Sequence, residues 1–218
     1  MSTFSDPSAA RIAKAIGRDD DARVRELVAA GANLYATGDS GVGLLGWALI
    51  RSRKRPFVTL LDAGAAIEHF DDHGDSVLHY AAIVADHWFL KILLTRHADA
   101  NLVNPRTGRT PLMDAVSHRR NEQVRLLLAA GADPDVVDQG GEAPLHVAAE
   151  MDDYGSVLDL LYAGADPEVR NGQGATFQRY LAMTSSGLLA QPERRCRAEL
   201  VGWLRDHGIA VDAGLLAQ

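Results

Sequence analysis

The sequence predicts an all-α solenoid of about six stacked helix pairs with projecting β-turn or hairpin loops, because two short anchors recur in step along it. The first anchor is Gly31-Ala32-Asn33, Gly64-Ala65-Ala66, His97-Ala98-Asp99, Gly131-Ala132-Asp133 and Gly164-Ala165-Asp166, spaced 33, 33, 34 and 33 residues apart. Each follows an apolar run such as Leu126-Leu127-Leu128-Ala129-Ala130, so a glycine closes a helix in four of the five cases. The second anchor is Gly74-Asp75-Ser76-Val77-Leu78-His79, Gly108-Arg109-Thr110-Pro111-Leu112-Met113 and Gly141-Glu142-Ala143-Pro144-Leu145-His146, recurring at 34 and 33. Units of this length bury little apolar surface alone and gain a core by stacking on their neighbours.

The units run approximately over 5–37, 38–70, 71–104, 105–137, 138–170 and 171–218. In the first, Ile12 and Ala15 hold the core positions of the opening helix and Asp21 to Ala30 forms the second. No loop opens this pair, and its outer side carries Arg11, Lys14, Arg18, Arg23 and Arg25, as an N-terminal cap requires. In the second unit Leu45 and Ala48 keep the core positions. In the third and fourth, Ser76 and Thr110 are N-caps whose hydroxyls can accept from an orphan helix amide. Pro111 and Pro144 occupy the first helical position, where a missing N–H costs nothing. Leu78, Leu112 and Leu145 point into the core, while Ala81, Ala115 and Ala148 let neighbouring helices approach closely. The sixth unit drifts: Thr176 is expected to cap, but Phe177 and Gln178 replace Pro and Leu, and the second helix is expected over Ala198 to His207. It ends at Gly208, 44 residues past Gly164, which leaves an insertion near 184–193 between its two helices.

With these residues in place the chain resembles the ankyrin repeat family over residues 9 to 182, although only Thr110-Pro111-Leu112 and Pro144-Leu145-His146 come close to its Thr-Pro-Leu-His signature. The resemblance implies a turn, two antiparallel helices and a projecting loop per unit. It also implies that the imidazoles of His79 and His146 bond backbone between repeats. It further implies that the loop tips and the inner face of each first helix line one concave surface that binds a partner protein.

Composition excludes several other classes. The net charge is −7 without an acidic or basic tail, and no stretch of about twenty apolar residues is present to span a membrane. The start, Met-Ser-Thr-Phe-Ser-Asp-Pro-Ser, lacks the regions of a secretory signal, and a lone Cys196 forms no intramolecular disulfide, so a cytoplasmic protein is expected. Arginine outnumbers lysine 19 to 3, a compositional hint of a GC-rich bacterial genome and of a stand-alone bacterial member of the family. The basic run Arg51-Ser52-Arg53-Lys54-Arg55 lies at a turn between helices; without interleaved aromatics or a nucleic-acid module it reads as solvated surface, and no nucleic-acid partner is expected.

No enzymatic constellation emerges. Gly41-Val42-Gly43-Leu44-Leu45-Gly46 matches the dinucleotide fingerprint by letter but occupies a helix-pair slot, without the strand and βαβ unit that motif needs. His69, His73, His79, His87 and His97 lack metal-ligand spacing, and the arginines around Cys196 belong equally to a solvated first turn of a helix. No catalytic residue, metal site or cofactor is therefore expected.

The expected binding strip contains Tyr35, Asp39, Arg51, Phe70, Asp72, His73, Asp75, Val84, Arg106, Arg109, His118, Gln139, Glu142, Met151 and Arg170. Its mixture of aromatics, acids and arginines suits a protein partner. Phe70 is the sharpest of these, placed at a tip where the period predicts exposure, with packing on Tyr35 or Val103 as the alternative. Three functions follow: a monomeric, non-enzymatic module that binds another protein; a bacterial immunity or inhibitor protein that neutralises a toxin or enzyme; or an enzyme or small-ligand binder that uses the 184–193 insertion.

Overall fold

The computed structural model describes residues 4–183 and 189–216. Among these residues the chain is all-α, with thirteen α-helices and, in place of strands, one isolated bridge between Thr37 and Gly43. Two compact units, Met1–Arg106 and Thr107–Gln218, divide it. No described helix is long and apolar enough to cross a membrane.

The first unit holds α1 (Pro7–Gly17), α2 (Asp21–Ala29), α3 (Leu44–Ile50), α4 (Lys54–Asp62), α5 (Val77–Ile83) and α6 (Trp88–Thr95). Each odd-numbered helix pairs with the helix that follows it, and the first helices α1, α3 and α5 stack in sequence. Ile12, Leu45 and Leu78 form their buried column, with Ala15, Ala48 and Ala81 at the close approaches. Burying each of the large side chains contributes about 1.5–3 kcal/mol. The indole N–H of Trp47 on α3 donates to the Ala13 carbonyl (3.2 Å), and Phe4 meets the Trp47 ring edge-on.

The second unit holds α7 (Pro111–Ser117), α8 (Asn121–Ala129), α9 (Pro144–Glu150), α10 (Tyr154–Tyr162), α11 (Phe177–Leu181), α12 (Gln191–Asp206) and α13 (Ala213–Leu216). Here α7 pairs with α8 and α9 with α10, while α11 packs on α9 and α12 on α10. Leu112, Leu145, Ala115 and Ala148 are fully buried, as their repeat positions predict.

The end of this unit departs from the sequence reading. Helix α12 begins at Gln191, seven residues before Ala198, with Pro192 in its first turn and Glu193 at its positive end. Residues 189–193 of the expected insertion are thus a buried Leu189 and the start of a helix, while 184–188 lie outside the described residues. Cys196 accordingly sits within α12 rather than in its first turn, and burial, then Glu199 and Glu193, pushes its thiol pKa up, opposite to the thiolate that the flanking arginines suggest. Thr176 stands at the N-cap of α11 without a side-chain bond to the helix. Gln178, polar in a leucine slot, is satisfied by α13's approach: its amide donates to the Ala210 carbonyl (3.1 Å) and accepts from the Asp212 N–H (2.9 Å). The buried Arg197 guanidinium donates to the Gly214 carbonyl (2.9 Å) and holds the same segment.

The helix-ending anchor works as its spacing predicts. Gly31, Gly64, Gly131 and Gly164 all have positive φ, and His97 adopts the same left-handed backbone at φ 59°. In each case the following N–H returns to a carbonyl in the last turn, as Ala98 does to Leu93 (3.2 Å). His97 carries the steric cost of a Cβ in that conformation, so His97→Gly is expected to raise unfolding free energy by about 1 kcal/mol. Urea titration of the two proteins checks this, and an unchanged midpoint would show that the His97 side chain offsets its own strain.

Candidate protein-binding surface

The loops between pairs are built on a residue that the sequence reading did not single out. Asp71, Asn104, Asp138 and Asn171 recur every 33 or 34 residues and receive their own loop's amides. Asp71 Oδ1 accepts from the N–H groups of His73 (2.8 Å) and Asp75 (2.9 Å). Asp138 does the same for Gly140 (2.8 Å) and Glu142 (3.0 Å), and Asn171 for Gln173 and Ala175 (both 3.0 Å). A backbone bond then closes each turn, from Asp71 to Asp75, Asp138 to Glu142 and Asn171 to Ala175 (each 3.0 Å). The signal was present as Asp or Asn at the repeat period. It was obscured by the extra residue of the fourth loop, which falls between Asn104 and Gly108.

Loops are then tied to one another. The amide of Asn104 donates to Asp75 (2.7 Å), and that of Asn171 to Glu142 (2.8 Å). Backbone approaches are equally close: the Gln139 N–H donates to the Thr107 carbonyl (2.9 Å). A Cβ built on Gly141 would meet the Gly172 nitrogen at 2.7 Å, so glycine is required there for spacing as well as for its φ of 77°.

The histidines of the second anchor brace the base of this loop layer. Nδ1 of His146 accepts from the Ala143 N–H (3.0 Å), which leaves Nε2–H to donate to the Ala175 carbonyl of the next repeat (3.0 Å). His79 Nδ1 accepts likewise from the Ser76 N–H (3.2 Å). Beside them stand two tyrosines at one repeat position. Tyr80 donates to Asp71, and burial followed by that bond raises its pKa above the usual tyrosine value. Tyr180 donates to Glu142 (3.0 Å), and burial, then Glu142, raises its pKa too. Both therefore stay protonated donors beyond the ordinary tyrosine range of about 10.

Against this frame the fifteen strip residues divide. Tyr35, Asp39, Asp72, His73, His118 and Gln139 are exposed. Arg51 is exposed with its guanidinium 4.4 Å over the Trp47 ring, Arg106 donates to the Asp72 carbonyl (2.6 Å), and Arg170 to the Gly174 carbonyl (2.8 Å). Val84 and Met151 are half-buried, Val84 just past the end of α5 in extended backbone. Asp75 and Glu142 are half-buried and engaged with the next loop, as described. Arg109 is the most committed: it donates to Asp114 (2.9 Å), to the Met113 carbonyl and Ser117 hydroxyl (both 3.1 Å), and pairs with Asp138 at 3.8 Å.

Phe70 does not project. It is half-buried, with its ring 6.5 Å from the His79 imidazole, because an apolar side chain beside the loop hinge gains more by folding back over the helix opening than by facing water. The fingerprint-like glycines also have structural roles. Gly41 ends the one-turn 3-10 helix Asp39–Gly41, Gly43 stands at the N-cap of α3 and Gly46 is buried within α3, and the Asp72 N–H reaches the Ser40 carbonyl (3.0 Å) across Gly41. His69 bonds the Gly41 carbonyl (2.8 Å).

A family model described as "Ankyrin repeats (3 copies)" matches residues 78–171, and the ankyrin repeat domain of Bcl-3 superposes with a TM-score of 0.74 at 26% identity, covering 85% of this chain and 80% of that one. The chain belongs to the ankyrin repeat family. A second ankyrin repeat protein, EF0377, superposes with a TM-score of 0.75 over 88% of this chain and 98% of that one, at 23% identity, a likeness of fold. Protein PhlB of Serratia liquefaciens is 40% identical over 151 residues, 69% of this ankyrin chain and 66% of that protein. The mouse B-cell lymphoma 3 protein homolog is 30% identical over 152 residues, and this chain spans 34% of its length. The ankyrin repeat scaffold is in general a non-enzymatic protein-interaction module.

Proposed function

We infer that this ankyrin repeat protein binds another protein through its loop tips and the inner ends of its first helices, as a cytoplasmic monomer until the partner arrives. One observation carries the reading. In the first unit Tyr35 and Ile50 are 74% and 49% exposed, large apolar side chains on a strip that also carries the exposed polar Asp39, Arg51 and Asp72. Apolar anchors ringed by polar groups are the composition of interface hot spots. The loop layer beneath them is braced by the side-chain and backbone bonds described above, so the strip is pre-organised and loses little freedom on binding.

A narrower reading, inhibition of a toxin or enzyme, has the net charge of −7 and the exposed Asp72 of an acidic loop in its favour, since acidity speeds capture of a basic target. Affinity capture from the source organism, with the captured protein identified and titrated calorimetrically, tests both. Replacing Tyr35 and Ile50 together by alanine should weaken binding by more than ~1 kcal/mol while leaving the melting temperature in place. Equal affinity of the double variant would overturn the assignment of the strip. A captured enzyme that keeps full activity in the complex would overturn inhibition alone.

A further inference from the structure

The basic run Arg51-Ser52-Arg53-Lys54-Arg55 has no part in the strip just described beyond Arg51. Its C-terminal members open onto a second surface. An open groove of about 360 Å³ crosses the second helices of the first unit, with Arg25 contributed by α2, Lys54, Arg55 and Val58 by α4, and Trp88 by α6. Three cations line it against one carboxylate, Asp62, which Arg96 already pairs at 2.7 Å.

Trp88 is out of character for the repeat. The same slot, nine residues before the helix-ending anchor, holds Ala22, Arg55, Glu122 and Gly155 in the other helix pairs. Trp88 is half-buried, packed edge-on to Phe57 (6.4 Å), and carries the Lys54 ammonium 5.1 Å from its ring centroid. The connection that delivers it is also unlike its counterparts. Asp19, Ser52, Arg119 and Asp152 turn the chain with positive φ between the helices of their pairs, whereas α5 is followed by extended backbone at Val84 and α6 is preceded by His87 in helical backbone. Arg55 is exposed, and among the described residues no carboxylate pairs with it.

The geometry points to this groove as a second docking site, for a peptide segment of another protein that carries an acidic side chain close to an aromatic or aliphatic one. The carboxylate engages Arg55 with Arg25 alongside, and the apolar side chain lies on Val58 and the Trp88 ring. Charge complementarity selects this occupant. Lys54 is held to Asp86 at 2.7 Å and Arg25 to Asp21 at 2.5 Å, so the groove offers one uncompensated cation beside an aromatic plane. That pattern fits a single acidic residue with an apolar neighbour better than the evenly spaced charges of a nucleic-acid backbone.

A random phage-displayed peptide library selected on the full-length protein, with counter-selection on Arg55→Glu, tests the proposal. Enriched sequences should pair Asp or Glu with a neighbouring apolar residue. As synthetic peptides they should shift the Trp88 indole N–H resonance and bind Arg55→Glu about tenfold more weakly or worse. They should bind the Tyr35, Ile50 double alanine variant as tightly as the parent, which separates this groove from the concave strip. Peptides without acidic residues, peptides indifferent to Arg55→Glu, or a DNA oligonucleotide that displaces the peptide at lower concentration would each overturn it. Because Arg55 is exposed, Arg55→Glu should keep the parent melting temperature, and Trp88→Phe, which preserves the ring packing on Phe57, provides a second variant that should weaken the same peptides.

Discussion

Asn171→Ala is expected to lower the unfolding free energy by about 3 kcal/mol, a large effect for a loop residue. The side chain is 6% exposed and makes four bonds: it accepts from the Gln173 and Ala175 amides and donates to Glu142 and to the Tyr180 hydroxyl (2.8 Å each). Removing it leaves two amides without a partner in a half-buried layer and takes from Glu142 Oε1 one of its two donors, the Tyr180 hydroxyl remaining, and each such loss costs about 1 kcal/mol or more. Urea unfolding measures the total. Asn171→Asp retains both accepted bonds but sets a second carboxylate against Glu142, so it should fall between the parent and alanine. A loss below about 0.5 kcal/mol for the alanine variant would show that the hinge residues are decorative, because surface substitutions commonly fall in that range.

His146→Ala should cost a similar amount, about 3 kcal/mol, by a different route. The imidazole is 1% exposed, and its loss leaves the Ala143 N–H and one acceptor position of the Ala175 carbonyl unfilled, together with a cavity beside Tyr180. Both residues act on the peptide groups of Ala175: Asn171 from within its loop, His146 from the preceding repeat. The double variant is therefore expected to lose less than the sum of the two single losses, by about 1 kcal/mol, as contacting residues in one network do. Strict additivity in the double-mutant cycle would mean that the loop and the preceding helix are stabilised independently.

Much of the architecture was legible because its signals are local. A helix end that needs left-handed backbone asks for glycine at one position, so Gly31, Gly64, Gly131 and Gly164 announce themselves, and even His97 is found by register. Ser76 and Thr110 cap within three residues, and the buried positions Ile12, Leu45 and Leu78 of the first unit and Leu112 and Leu145 of the second are a matter of period. Helix α12 was misplaced because the unit that contains it abandons the period. There the start signals around Gln191 and Pro192 had to compete with an apparent loop composition.

The sequence by itself determined the repeat, its core and its caps, and it pointed to a surface of loop tips and inner helix ends. What only the tertiary structure decided is which polar side chains on that surface hold the fold and which face solvent. Asp72 and Asp75 look equivalent as letters, yet one is exposed and the other bonds Asn104, 29 residues away. Glu142 finds Tyr180 at a separation of 38, and Arg109 binds across to Asp138. The physical reason is one of range. Backbone conformation and capping depend on neighbours along the chain, whereas the partner of a charged or amide side chain depends on which loop the stack brings beside it.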